Sequence, residues 1–307
     1  MTSAAIDLKQ AHTAEPCGDS VHSLRIAHIT DIHIQPERGI EQIVASRLKR
    51  IQELSHPPDM IFNGGDIVMD AVAADRRRVD ALWDAWDRVA MDCSIPMRYC
   101  LGNHDVWGWG RKSGCTGDEP LFGKAYPLSR LRLSSAYYHF DQSGWRFIVL
   151  DSLLRIDKTR YAARIDPTQW RWLEETLRST PPATPILILS HIPIAGGPSV
   201  FFANVESETA VDVEILENRD WVVPSWQMHV DSRQLIELFA KYSNVKLCLS
   251  GHTHLYERLE FRGVTYINNG ALSGQWWRGD FFGTSPGYGL IDLYPDGRFQ
   301  AEYISVE

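Results

Sequence analysis

Five times along these 307 residues an apolar run stops at a side chain that can hold a metal ion or move a proton. Residues 24–30 run into Asp31-Ile32-His33, and residues 60–63 into Gly64-Gly65-Asp66. Residues 97–101 run into Gly102-Asn103-His104-Asp105, residues 185–190 into His191, and residues 245–249 into Gly251-His252-Thr253-His254. Continuous apolar runs of this length suit strands buried on both faces, as in a largely parallel sheet. In open α/β sheets the crevice lies beyond the carboxyl ends of the strands, so side chains at those ends converge although they are far apart in sequence. Alternate residues on an extended segment face one side, which pairs Asp31 with His33 and His252 with His254. Asn103 and His104 set a neutral oxygen ligand beside an ionisable imidazole, so one can hold a metal while its neighbour moves a proton. His28 and His56 fit no such pattern and read as structural.

Helical spacing fills the gaps between these runs. Ile40, Ile43, Val44, Leu48, Ile51 and Leu54 form one stripe, closed by Pro57-Pro58, and Val79, Leu82, Trp83, Trp86 and Val89 form another that starts near Asp75. Asp166-Pro167-Thr168-Gln169 reads as a cap, a first-turn proline and a box partner ahead of Trp170, Leu173 and Leu177. Asp231-Ser232-Arg233-Gln234 reads as the cap of a helix with Leu235, Leu238, Phe239 and Tyr242 inward. Residues 137–140 and 145–150, joined by Asp141-Gln142-Ser143-Gly144, predict a hairpin. Residues 264–267, 290–293 and 299–304 predict closing strands, with Pro295-Asp296-Gly297 as a turn. Strands alternating with helices give an α/β architecture, and the hairpins make its sheet mixed. Residues 106–136, rich in Gly, Ser and aromatics, predict a long ordered loop near the site.

The domain is expected to span residues 24–307 behind a flexible arm of residues 1–23. An acidic insertion is expected at about residues 192–230. There Glu206, Glu208, Asp212, Glu214, Glu217 and Asp220 face a single Arg219 and read as a lid or rim. A net charge of -8 and a pI near 5.8 argue against a sequence-independent grip on nucleic acid. A small anionic ligand would need a local positive centre instead. Five cysteines without CxxC spacing suit a reduced, cytoplasmic protein, with Cys100 and Cys248 as small buried hydrophobes. The first residues lack the marks of an export signal, a clipped one being left open, and no apolar run reaches the ~20 residues of a membrane span.

The donor set contains imidazoles, carboxylates and one amide but no thiolate. That suits Zn, Mn or Fe better than a cysteine-rich zinc knot or an all-oxygen calcium site. Seven or so ligands are too many for one ion, whereas two ions ~3.5–4 Å apart and bridged by a carboxylate would use them all.

The ordered set Asp31-x-His33, Gly65-Asp66, Gly102-Asn103-His104-Asp105, His191 and Gly251-His252-x-His254 resembles the calcineurin-like metallophosphoesterase superfamily from residue 24 onward. The resemblance implies a four-layer αββα sandwich, two mixed sheets flanked by helices. It implies that Asp31, His33 and His254 hold one metal, that Asn103, His191 and His252 hold the other, and that Asp66 bridges them. It also makes His104 a histidine that contacts substrate or leaving group without binding metal. Many members carry a second acid three residues after the bridging aspartate. Here Met69 stands in that place with Asp70 one later, so Asp70 and Asp105 are both candidates for orienting His104. Met69 also excludes the purple acid phosphatases, which place a tyrosine ligand there. The implied function is hydrolysis of small phosphodiesters, cyclic nucleotides or glycerophosphodiesters, by a metal-bridging hydroxide with His104 as proton donor. A nonspecific phosphomonoesterase and a metal-binding scaffold with a weakened site are the alternatives. Trp276-Trp277-Arg278 reads as a substrate-binding stretch, with the tryptophans flanking the leaving group and Arg278 facing phosphate. A partly buried surface loop is the competing reading.

Overall fold

Strands that bury both faces need a layer on each side, and the computed structural model, which describes residues 24–158, 160–197 and 223–306, supplies them. The first sheet contains β1 (Leu24–Ile29), β2 (Met60–Asn63), β3 (Met97–Tyr99), β12 (Gly287–Leu293) and β13 (Phe299–Ser305), in the order β13-β12-β1-β2-β3. The second contains β4 (Tyr138–Gln142), β5 (Trp145–Val149), β8 (Ile186–Leu189), β9 (Val245–Ser250), β10 (Glu257–Phe261) and β11 (Val264–Asn268), in the order β10-β11-β9-β8-β5-β4. β1, β2 and β3 pair in parallel, as do β5, β8, β9 and β11, while the outer pairs are antiparallel. Both sheets are therefore mixed.

Alternation along each strand divides the core. Ile26, Met60, Phe62 and Ile291 of the first sheet pack against Phe147, Leu187, Leu189, Leu247 and Leu249 of the second, forming the central apolar layer. The residues between them point outward. Ala27, Ile29 and Ile61 meet α1 (Ile40–Gln52) and α2 (Arg76–Met91), and Ile148, Ile186, Ile188 and Cys248 meet α4 (Pro167–Ser179) and α5 (Ser232–Phe239). The result is helix, sheet, sheet, helix, as expected. In α1 the stripe Ile40, Val44, Leu48 and Ile51 is buried, but Ile43 lies outside it. Among the described residues no helix is long and apolar enough to cross a membrane.

Local chemistry agrees with the sequence at some ends and departs at others. Asp75 accepts the Arg78 amide and Asp166 accepts the Thr168 and Gln169 amides, so both act as helix caps. Gln169 does not complete a capping box. Its side chain instead bonds both the amide and the carbonyl of Asp151, because a buried backbone pair needs partners more than an exposed helix start does. Asp231 likewise makes no side-chain cap, and its carboxylate is taken by the Ile165 amide and the His229 ring. The hairpin turns at two residues, Ser143 and Gly144, both with positive φ as such a tight turn requires. Residues 106–136 are not all loop, since they include α3 (Ala125–Leu131). A short ribbon of β6 (Leu153–Arg155) and β7 (Tyr161–Ala163) is an addition to the expected strands, as is β10. The expected arm and all six acidic residues of the expected insertion lie outside the described residues.

Candidate metal centre

Parallel pairing sends the carboxyl ends of β1, β2, β3, β8 and β9 to one edge, where the central layer gives way to polar side chains. The loops beyond these ends are stitched together by their backbones. The amides of Asp31 and His33 donate to the carbonyls of Gly65 (2.9 Å) and Asp66 (3.0 Å), and the Gly251 amide donates to the His191 carbonyl (2.9 Å). Glycine is required where the loops touch. A Cβ at Gly102 would run into the amide and carboxylate of Asp66, and one at Gly251 into the Thr30 hydroxyl and the Asp31 carboxylate. Asp31, His33, Asp66, His252 and His254 have φ of 52°, 47°, 51°, 71° and 60°, a region that costs a non-glycine residue of order 1–3 kcal/mol and concentrates at functional sites.

This backbone gathers the donors into two groups that share Asp66. In the first, His254 Nε2 lies 3.1 Å from His33 Nε2 and 3.4 Å from Asp31 Oδ1. In the second, His191 Nε2 lies 3.2 Å from Asn103 Oδ1 and 3.3 Å from Asp66 Oδ2, and His252 joins them. Asp66 Oδ2 is also 3.9 Å from His33 Nε2, which places this oxygen between the groups. Asp31, His33, Asp66, His191 and His254 are at most 2 % exposed.

Hydrogen bonds around these donors fix which atoms face inward. His191 Nδ1 donates to the Gly64 carbonyl (2.8 Å) and His254 Nδ1 to the Gly274 carbonyl (2.6 Å), so in each neutral ring Nε2 presents its lone pair to the centre. Asp31 Oδ2 accepts from the Thr30 hydroxyl (2.7 Å) and the His252 amide (2.8 Å). Asp31 Oδ1 is buried without a hydrogen-bond partner, as is His252 Nδ1. Donor atoms 3.1–3.4 Å apart in a buried site need a proton or a cation among them. An ion with donors at roughly 2.0–2.1 Å spaces neighbouring donors by about 3.0–3.4 Å, so the residues fit a divalent metal. Burial works against charge on His191, yet the Asp66 carboxylate prevails and pushes its pKa up to about 9. Burial, reinforced by His104, holds His33 well below the usual imidazole range, and burial with His191 pushes His252 down to about 3. Burial would raise Asp66, but His191 and His104 hold it well below the usual carboxylate range.

His104 stands beside both groups, its ring 4.8 Å from that of His33 and one of its ring nitrogens close to the donors of His33 and Asp66. Its backbone amide donates to Asp66 Oδ1 (2.7 Å) and its Nδ1 to the Met69 carbonyl (2.6 Å). A backbone carbonyl, rather than a carboxylate, therefore sets the ring's direction. Asp105 turns to backbone, accepting from Ile67 (2.8 Å), Val68 (3.2 Å) and Gly102 (2.9 Å), and burial with the Asp66 charge pushes it up to about 7. Asp70 accepts from the Ala73 amide (3.2 Å). His28 is buried in β1, bonded to Asn269 and pushed down to about 3 by burial, whereas His56 is exposed.

Of the Trp276-Trp277-Arg278 stretch, only Trp276 packs its ring on the donors, 4.5 Å from His254 and 6.0 Å from His33. Trp277 turns behind the site, donating Nε1 to the His33 carbonyl (3.0 Å) and stacking under Arg47. Arg278 is exposed, and its backbone amide donates to Gln275. Sequence reasoning missed Trp226, whose ring lies 6.2 Å from that of His252. The apolar, tryptophan-bearing stretch of residues 221–230, which follows the acidic run, is the signal that could have found it.

Two mixed sheets between helices, with imidazoles and carboxylates gathered at their common edge closely enough to hold a metal ion, define the fold and site of a metal-binding protein. The chain belongs to the calcineurin-like phosphoesterase family, whose model matches residues 24–256. It is thus a phosphoric ester hydrolase. It is 24% identical over 287 residues to a 3′,5′-cyclic-nucleotide phosphodiesterase of Nostoc sp., covering 90% of each chain. It is 25% identical over 293 residues, 93% of each chain, to a Synechococcus sp. protein named "Probable cyclic nucleotide phosphodiesterase". A dimetal phosphatase from Danio rerio has the same fold, with a TM-score of 0.56 at 13% identity over 92% of this chain and 99% of that one.

Proposed function

We propose that this chain hydrolyses small phosphodiesters, of the cyclic-nucleotide or glycerophosphodiester type, at a centre of two metal ions. Asp31, His33 and His254 would hold one ion, Asn103, His191 and His252 the other, and Asp66 both. The observation that carries this reading is Asp66 Oδ2 standing between the two donor groups, 3.9 Å from His33 Nε2 and 3.3 Å from His191 Nε2. Imidazole with carboxylate and no thiolate favours Mn, Fe or Zn. The chemistry such a pair supplies when bound is activation of water and neutralisation of phosphate charge.

The chain's own residues do the rest. The Met69 carbonyl holds the Nδ1 hydrogen of His104, so Nε2 is the position from which a proton passes to the leaving oxygen, worth typically ~10²–10⁴-fold in rate. The His104 amide on Asp66 Oδ1 ties that donor to the bridging carboxylate. Thr30 and the His252 amide occupy Asp31 Oδ2 and leave Oδ1 for the ion. The names of the relatives support a diester. Free Cys93, Cys100, Cys115 and Cys248 support a reducing, cytoplasmic setting.

The test is turnover of bis(p-nitrophenyl) phosphate beside p-nitrophenyl phosphate after chelation and reloading with Mn, Fe or Zn. Preference for the diester is expected. Preference for the monoester would overturn the diester assignment, and silence with every metal would leave a scaffold.

A further inference from the structure

One aromatic residue beside the second donor group is exposed, and it sits on a loop tethered at both ends. Trp226 is 46% exposed, and its ring stands 6.2 Å from that of His252 at 78°. Its position does not depend on a free tip. The Ser225 carbonyl accepts the Ala163 amide (2.6 Å), and the Val230 amide donates to the Ala163 carbonyl (2.9 Å), so the turn hangs from the last residue of β7 by both ends. Below it, His229 is buried and linked through Nδ1 to Asp231 (3.0 Å) and through Nε2 to the Ser190 hydroxyl (3.1 Å), next to the donor His191. Serine, histidine and aspartate in this order copy a nucleophilic relay. Ser190 is 1% exposed and its hydroxyl also bonds the Ile192 carbonyl (2.8 Å), so the chain of bonds serves as an anchor.

Trp276 stands at the other donor group but is partly buried, packed between His254 and Phe281. Trp226 has His252 as its only ring neighbour among the described residues. Exposing a large aromatic face on a rigid support beside a catalytic centre suits stacking of a planar group, which tolerates every base because each has a π-face.

We propose that Trp226 is a specificity-determining residue that stacks on the planar base of a nucleoside phosphodiester while its phosphate lies at the donor groups. The inference rests on the phosphodiesterase reading above and narrows it to base-bearing substrates. It requires that two diesters with the same reacting bonds be told apart by the base alone.

The test compares kcat/KM for 3′,5′-cyclic AMP with that for methyl riboside 3′,5′-cyclic phosphate, which lacks the base, in wild type, W226A and W226F. Wild type should prefer cyclic AMP by about 5- to 150-fold, the span expected of one base on one aromatic ring. W226A should lose most of that preference, chiefly through KM, and W226F should keep most of it. No preference in wild type, or a preference that survives in W226A, would overturn the assignment. Equal loss on both substrates at an altered melting temperature would also overturn it, making Trp226 part of the loop's structure only. Wild-type turnover of bis(p-nitrophenyl) phosphate is followed in parallel. If that substrate is cleaved and the base makes no difference, Trp226 fails alone, and if neither it nor the cyclic esters are cleaved, the parent reading fails with it.

Discussion

On the proposed mechanism, replacing His104 by alanine should separate proton donation from metal binding, because its ring would serve the first and its backbone amide supports the second. The bond to Asp66 Oδ1 comes from the main chain and survives the substitution, so the bridging carboxylate keeps its direction. What disappears is the ring and its bond to the Met69 carbonyl. Losing one such bond costs about 1 kcal/mol, a melting shift of about 1–2 °C for a chain of this size. Losing a positioned acid costs ~10²–10⁴ in kcat, or about 2.7–5.5 kcal/mol of barrier. The loss should depend on the leaving group: near the lower bound for an aryl diester whose leaving phenolate needs little help, and near the upper bound for an alkyl diester. Single-turnover rates with both substrates, with elemental analysis of the same samples, provide the measurement. Equal losses on the two substrates, or departure of either metal, would refute the reasoning.

Asp66→Ala should strip the centre of its shared oxygen and lower the bound metal from two ions per chain to one or fewer, as read by elemental analysis after dialysis; two retained ions would sink the bridging role. Asp231 bears on acid stability. Burial would raise its pKa, but the His229 ring holds it below its ordinary 3.8. A depressed folded-state value contributes stability that is present above about pH 4 and is lost as pH falls through the folded value. Asp231→Asn should therefore lower the melting temperature at pH 7 by more than at pH 3; equal effects at both pH values would contradict this.

Much of this was legible in sequence because the strands that matter are buried on both faces. A run such as Met60-Ile61-Phe62 has to be apolar throughout when Met60 and Phe62 face one layer and Ile61 the other. β10 was not legible, since an edge strand such as Glu257–Phe261 leaves alternate residues in solvent and carries charge. Nor was the partner of His104. Asp70 and Asp105 were reasonable candidates by residue type, but a backbone carbonyl does the work, and carbonyls are present at every position. Trp226 escaped for another reason: its closeness to His252 is created by bonds to Ala163, more than sixty residues away.

The centre straddles a seam. One sheet contributes Asp31, His33, Asp66 and Asn103, the other His191, His252 and His254, and between them lies a layer that includes the stacked rings of Phe140 and Phe147 with Phe62 tilted against both. If these donors hold cations as proposed, the thickness of that greasy filling sets how far apart the two halves of the cage are held, and trimming a phenylalanine there should weaken the grip on cations from a distance, with no donor altered.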